Sequence, residues 1–278
     1  MVFSGTIVNL GAFNLEISGD ATVSGALSGS SGTLLLNGNQ AQTISFFSPT
    51  TLPNLAIENT SGGVSIESSS SVLNITNLVS FDATGTTVFN TNGKLVLKDN
   101  GSGMANLGNL NNHTITGDIT CQFKTNTLSN IDYRNISMPV SGVTIADVQY
   151  NAATQPGGFS TYGFTGSITP SAGGFFSTYS YNNGSVTGDF NDGWVGASNT
   201  TNPLNHQAAT TWYIGPGTGS TGASSYSFEV SGSPIVGGSA AATISSANGA
   251  NLSYDAGNAA DNNYNWALVG NPFPSSVD

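Results

Sequence analysis

From residue 4 to about 123, short runs of alternating apolar and polar residues are each closed by a cluster of Gly, Asn, Asp, Ser or Thr. The runs are residues 6–8, 13–17, 33–36, 43–46, 54–57, 64–66, 72–75, 87–89, 94–97 and 118–123, with Ile115 before the last. Between them stand Ser18-Gly19-Asp20, Asn37-Gly38-Asn39 and the stretches 28–32, 60–63, 90–93 and 99–103. Period-two alternation predicts strands with one face buried, and the clusters supply turns that accept positive φ. Strand and turn recur about every 8–12 residues, a rhythm shared by sandwiches, barrels and β-solenoids. Asn37-Gly38 and Asn92-Gly93 suit two-residue hairpin turns, but most gaps are longer and rich in Ser and Thr. That scarcity of hairpin signals favours a parallel β-helix-like solenoid over residues 1–132, in which each coil buries its inward residues on the next and Asn, Ser and Thr stack at the corners. A sandwich is the alternative for the same residues.

The pattern changes near Tyr133. Residues 133–278 are richer in aromatics and proline, with Gly/Ser loops at 156–158, 215–222 and 237–238. Apolar alternation at 175–181, 211–214, 226–230 and 264–269 predicts an antiparallel β-domain of sandwich type. The expected fold is therefore all-β, an N-terminal solenoid followed by an antiparallel domain.

Composition narrows the functions open to such a chain. Gly contributes 36 of 278 residues and charged side chains only 7%, against about 25% in an average soluble domain. Solubility must come from hydroxyls and amides. The 14 Phe, 9 Tyr and 3 Trp argue against disorder. The only cations are Lys94, Lys98, Lys124 and Arg134, and the net charge is −11. Nucleic acid binding needs phosphate neutralisation by Lys and Arg and is excluded on this ground, and anionic membrane surfaces are disfavoured by the same logic. With Cys121 as the single cysteine there is no intrachain disulfide. No apolar run approaches the 18 or so residues of a membrane-spanning helix. Met1 is followed by Val-Phe-Ser-Gly-Thr-Ile, with neither a basic n-region nor an apolar h-region. The pattern begins in mid-repeat, so the sequence is expected to be a piece of a longer exported protein, truncated at its C-terminus as well.

Several phrases resemble one recurrent architecture. Leu36-Asn37-Gly38 through Gln42-Thr43-Ile44-Ser45, then Leu52-Pro53-Asn54-Leu55-Ala56-Ile57-Glu58-Asn59 and Gly62-Gly63-Val64-Ser65-Ile66, are similar to the repeats of large secreted proteins of Bacteroidota. Arg134-Asn135-Ile136-Ser137-Met138-Pro139-Val140-Ser141-Gly142-Val143-Thr144-Ile145-Ala146-Asp147 resembles the segment that follows those repeats. Thr201-Asn202-Pro203-Leu204 and Trp266-Ala267-Leu268-Val269-Gly270-Asn271-Pro272-Phe273-Pro274-Ser275-Ser276-Val277-Asp278 resemble two later landmarks. The resemblance spans most of the chain at landmark points only. It implies export by the type IX secretion pathway and residence on the cell surface or outside the cell. It carries no catalytic residues to transfer.

Catalytic chemistry finds few residues. His113 and His206 are the only histidines, far apart in sequence and read as surface or loop residues. His-Glu-x-x-His, Cys-x-x-Cys and Gly-x-Ser-x-Gly are all missing. Cys121, between Ile119 and Phe123, reads as a buried inert thiol. A polysaccharide-degrading β-helix would need two carboxylates about 5–9.5 Å apart, drawn from Asp82, Asp99, Asp118 and Asp132, and lacks cationic partners. The chain is not expected to be an enzyme.

Binding residues are easier to name. Asp189-Phe190-Asn191-Asp192-Gly193 alternates oxygen ligands before a glycine, as the start of a calcium loop does, without the closing glutamate. Asp255, Asn258, Asp261 and Asn262 form a second oxygen-rich stretch. Calcium is thus the one cofactor that the residues suggest, with ordinary turn chemistry as the competing account. Trp194, Tyr179, Tyr181 and Tyr213 are candidates for a sugar-stacking face, each offering apolar area with a polar handle. Trp212 and Trp266 sit in strand alternations and are assigned to the core, leaving Trp194, between Gly193 and Gly196, as the most exposed of the three. The expected function is an extracellular structural or adhesive role, as a stalk or filament component whose partners are copies of itself or other surface proteins. A carbohydrate-binding adhesin module is the alternative, and a polysaccharide-degrading β-helix enzyme is a weaker one.

Overall fold

The structure, a computed structural model, describes residues 2–3, 8–125, 132–170, 173–182, 185, 189–204, 209–214, 226–236, 268, 270 and 274. The chain forms two compact units, one built mainly on residues 1–123 and the other on 124–230. Among the described residues no helix is long and apolar enough to cross a membrane.

The first unit is a parallel β-solenoid. Its rungs carry, in chain order, β1 (Val2–Phe3), β2 (Val8–Asn9) and β3 (Leu15–Ile17), then β4 (Ala21–Val23), β5 (Leu27–Ser28) and β6 (Thr33–Leu36). Next come β7 (Gln42–Phe46) with the long β8 (Thr50–Ile57), and β9 (Val64–Ile66) with β10 (Leu73–Phe81). The series ends with β11 (Val88–Asn90), β12 (Leu95–Leu97), β13 (Asn106–Leu107), β14 (Thr114–Thr116) and β15 (Ile119–Lys124). One face is the ladder β1-β4-β7-β9-β11-β14, with each strand parallel to its neighbours. A second face stacks Thr50–Leu52 on Leu73–Ile75, then Leu95–Leu97, then Ile119–Cys121. The third runs β3-β6, then Asn54–Ile57 of β8, Leu78–Phe81 of β10 and β13.

Register explains why the alternation reads so clearly. Leu15, Leu34, Leu55, Val79 and Leu107 stand one above another, as do Leu52, Ile75, Leu97 and Cys121. Apart from the half-buried Leu15, all of these are buried, so every rung covers the apolar floor of the next. A one-residue slip would turn a whole column to solvent. Pro53 lies inside β8, where a missing N–H would break a flat ladder. It is tolerated because the strand bends there from the second face to the third, and the pairing with β10 shifts between Ile75 and Leu78. Asn92-Gly93, at φ 47° and 70°, is a solenoid corner and not a hairpin, since β12 pairs with β10 and β15. Asn54, Asn77 and Asn100 recur at a fixed spacing along another corner. There Asn77 Nδ2 donates to Asn54 Oδ1 (2.7 Å), Asn54 to Ser31 O (3.0 Å) and Asn100 to Thr76 O (2.9 Å).

The second unit carries β16 (Asp132–Ile136), a single helical turn α1 (Ile145–Val148), β17 (Thr178–Tyr181), β18 (Trp194–Gly196), β19 (Thr210–Ile214) and the Ser227–Val230 part of β20 (Ser227–Gly232). Its antiparallel sheet has the order β16-β19-β17-β18. Trp212 is fully buried, and Phe159 packs on it at 5.0 Å between ring centroids, with Tyr226 and Phe228 at 5.1 and 4.9 Å from Phe159. The layer opposite this sheet is held by isolated bridges such as Gln149–Phe159 and Tyr162–Thr169. In the Ser137–Asp147 phrase, Met138, Val140, Val143 and Ile145 are buried. The backbone N–H and hydroxyl of Thr144 both donate to Asp147 Oδ2 at 2.8 Å, fixing the start of α1.

Candidate functional site

Antiparallel pairing sets Tyr133 opposite Tyr213, Asn135 opposite Thr211, Thr211 opposite Tyr179, Tyr179 opposite Gly196 and Tyr181 opposite Trp194. These are alternate positions on four adjacent strands, so they share one sheet face, while Thr178, Trp212 and Ile214 turn to the core. The sequence candidates Trp194, Tyr179, Tyr181 and Tyr213 therefore come together on a single surface. Tyr133, Asn135, Tyr179, Trp194 and Thr211 line a cleft of about 510 Å³ on it.

The rings of this face lean on one another edge to face. Tyr181 meets Trp194 at 5.1 Å and 75°, Tyr133 meets Tyr213 at 5.5 Å and 61°, and Phe175 meets Tyr213 at 4.8 Å and 78°. Such tilted pairs are a favoured aromatic geometry. Two glycines permit the arrangement. A Cβ on Gly193 would come within 2.5 Å of the Tyr181 ring, and one on Gly196 within 2.5 Å of the Phe176 ring. Tyr133 is 53% exposed and Trp194 half-buried.

Polar groups sit among the rings. Thr211 Oγ1 donates to Asn135 Oδ1 at 2.7 Å, which occupies that oxygen and leaves the Nδ2 hydrogens for another acceptor. Tyr179 Oη accepts from the Phe176 N–H at 3.4 Å and keeps its own proton to donate. Burial, with the nearby Tyr179 and Tyr213 phenols, pushes the Tyr133 hydroxyl above its ordinary pKa, and burial does the same for Tyr181. Both remain neutral donors at physiological pH. No charged side chain lines the cleft among the described residues. A second depression of about 420 Å³, bordered by Phe164, Pro170, Phe176, Gly196 and Ser198, opens two residues further along β18.

The Asp189 loop is a capped turn. Asp189 Oδ1 accepts from the N–H and Nδ2 of Asn191, both at 2.9 Å, and Asp192 Oδ2 accepts from the Asp189 N–H at 3.4 Å. Among the described residues no three His, Cys, Asp or Glu side chains gather in a metal-ligand cluster. Asp255, Asn258, Asp261, Asn262, His206 and Trp266 lie outside the described residues.

His113 lies in the loop before β14, as expected, but it is not a surface residue: it is 6% exposed, inside a polar spine along one solenoid corner. Its Nε2 lies 2.7 Å from Asp82 Oδ1, its Nδ1 3.0 Å from Thr87 Oγ1, and its ring 5.5 Å from that of Phe81. Gly85 makes room, since a Cβ there would lie 2.5 Å from His113 Cε1. Burial works to raise the Asp82 carboxyl, but hydrogen bonds from the Thr84 hydroxyl, the Thr84 and Gly85 amides and the His113 charge outweigh it and hold it below its ordinary value. Hydroxyl, imidazole and carboxylate follow the order of a nucleophile–base–acid relay. Its burial and its bonding mark it as architecture, because Thr87 is buried and its hydroxyl donates to Asn59 O at 3.1 Å. Cys121 is buried as expected, and burial pushes its thiol up to about 12.

Tyr133, Asn135 and Thr211 were not singled out by the sequence. The alternation of Tyr133 and Asn135 about Arg134 is the signal that could have found the first two. No protein-family model, curated protein or solved structure matches the chain, so the fold and this face define it only as a β-solenoid protein with an antiparallel, aromatic-faced unit.

Proposed function

We propose that this chain is part of an extracellular structural and adhesive surface protein, in which the solenoid is a spacer and the antiparallel unit provides a contact surface. The observation that carries this reading is the continuous register of buried aliphatic columns through the solenoid rungs. In a rod in which each rung is covered by its neighbours, stability comes from the contacts between adjacent rungs along the axis. The low charge and the hydroxyl- and amide-rich surface support a life outside the cell. The resemblance to Bacteroidota surface repeats supports export through type IX secretion. Partners on this reading are other surface proteins or further copies of the chain.

The test is exposure on intact cells that make the protein. Antibodies raised against the chain should label unpermeabilised cells, and external protease should remove the signal. Labelling that needs permeabilisation would overturn the extracellular assignment.

A further inference from the structure

We infer that the cleft on the β16-β19-β17-β18 sheet binds a neutral glycan chain, and that Trp194, Tyr133 and Tyr179 supply its stacking surfaces. This deepens the adhesive reading by naming what the contact surface grips, and rests on that reading for its biological setting only.

The chemistry of the lining selects the ligand. Sugar rings present apolar C–H faces edged by hydroxyls, and they match surfaces that offer aromatic area beside neutral hydrogen-bonding groups. Here Trp194, Tyr133 and Tyr179 provide the area, and the Asn135 amide, Thr211 hydroxyl and tyrosine phenols provide neutral donors and acceptors among them. The Thr211–Asn135 bond fixes the carboxamide, so its Nδ2 hydrogens are presented in a set orientation. Such preorganisation lowers the ordering cost of binding.

Charge excludes the neighbouring classes. An acidic polysaccharide would want cations, yet the described lining has none, and Arg134 alternates to the other side of β16 from Tyr133 and Asn135. A quaternary ammonium ion would want several ring faces converging within about 6 Å of one point. In this face the rings instead spread across four strands and meet edge to face. A purely apolar ligand would cover the Asn135 Nδ2 hydrogens without offering them an acceptor, which disfavours it.

Size points to a chain of sugars. The cleft of about 510 Å³ falls within the ~300–1,000 Å³ of small-ligand sites. The second depression of about 420 Å³ starts only two residues along β18, past Phe176 and Gly196. On this proposal a longer glycan would follow β18 from the cleft towards the second depression.

The experiment is calorimetric titration of the full chain with neutral hexaoses of β-linked glucose, xylose, mannose and N-acetylglucosamine. Oligogalacturonate and choline are run beside them. At least one neutral hexaose should bind, its disaccharide should bind at least tenfold more weakly, and oligogalacturonate and choline should not bind. Trp194→Ala should weaken the hexaose at least tenfold and Asn135→Ala severalfold, whereas Phe13→Ser, on the solenoid surface, should leave it unchanged. Continued protection of the buried Cys121 thiol and an unchanged near-ultraviolet dichroism certify that each variant is folded. If no neutral hexaose binds, if only the charged probes bind, or if folded Trp194→Ala and Tyr133→Ala both bind normally, the inference is wrong. Cell-surface labelling would be unaffected by any of these results, so the two readings fail separately.

Discussion

Asn59 has no solvent exposure, and its carboxamide is fully engaged. It donates to Gln40 O (2.8 Å) and Gln42 Oε1 (2.9 Å) and accepts from the N–H groups of Ser61 (3.1 Å) and Gly63 (3.2 Å). Truncation to alanine strands several buried groups at once, each costing about 1–3 kcal/mol. Asn59→Ala should therefore lower the unfolding free energy by about 3 kcal/mol in a urea titration, and a change below about 0.5 kcal/mol would show that the spine is dispensable. Asp82 gives the same spine a pH signature. Its folded pKa lies below the ordinary value of 3.8, so its contribution is fully present above 3.8 and is lost as the pH falls through the lower folded value. Asp82→Asn should flatten this acid limb of stability against pH, and an unchanged limb would assign it to other carboxylates. The spine was invisible in the sequence because His113 finds Asp82 and Thr87 31 and 26 residues away, one rung or more back along the chain. The aromatic candidates were legible for the opposite reason: their alternation survives folding. What could not be read was which strands lie side by side, and so which of the rings share a face. At that face Gly193→Ala should push on the Tyr181 ring and weaken hexaose binding severalfold. Combined with Tyr181→Ala the loss should be less than additive, whereas full additivity would mean that the two positions do not communicate.

At the scale of the element, the rung is the unit, and its columns set the cost of damage. Leu55 sits mid-column between Leu34 and Val79, so Leu55→Ala should cost about 2–5 kcal/mol, against about 0.5 kcal/mol or less for Phe13→Ser at an exposed corner. Equal effects in denaturation would contradict the register. Cys121 reports the state of the second face, where it stacks on Leu97. With burial holding its thiol near 12, a thiol reagent at pH 8 should label it only at the rate at which the rungs open. Labelling at the rate of a free thiol would mean that the face is not closed. Of the two longest strands the alternation marked only 54–57 in β8 and 72–75 at the start of β10, and it missed β4, β5 and β13 altogether. A two-residue strand has no period to detect and exists because the rung beside it offers a ladder. The turn at Asn92-Gly93 shows the limit in the other direction, since a hairpin dipeptide serves as a corner wherever both flanking strands find partners in adjacent rungs.

For the whole molecule, the proposed spacer role asks the solenoid to bear tension, while the second unit presents rings and neutral hydrogen-bonding groups. Rungs lengthen along the axis, from 19 residues between Leu15 and Leu34 to 28 between Val79 and Leu107, yet the columns stay aligned. The extra residues are absorbed at the corners, where Gly, Asn and Asp turns accept insertion without disturbing the ladder. The spacer role requires that this stack carry force, and stretching single 278-residue chains by their two ends would measure it. Because rungs contact only their neighbours, extension should proceed in discrete steps. Each step should free one rung or a few, and a rung such as the 22 residues from Ile44 to Ile66 releases roughly 70–80 Å at about 3.3–3.6 Å per residue. A staircase of such lengths is the predicted record. Smooth extension at the low force of an unstructured chain, with no step of rung length, would contradict the role of the solenoid as a spacer.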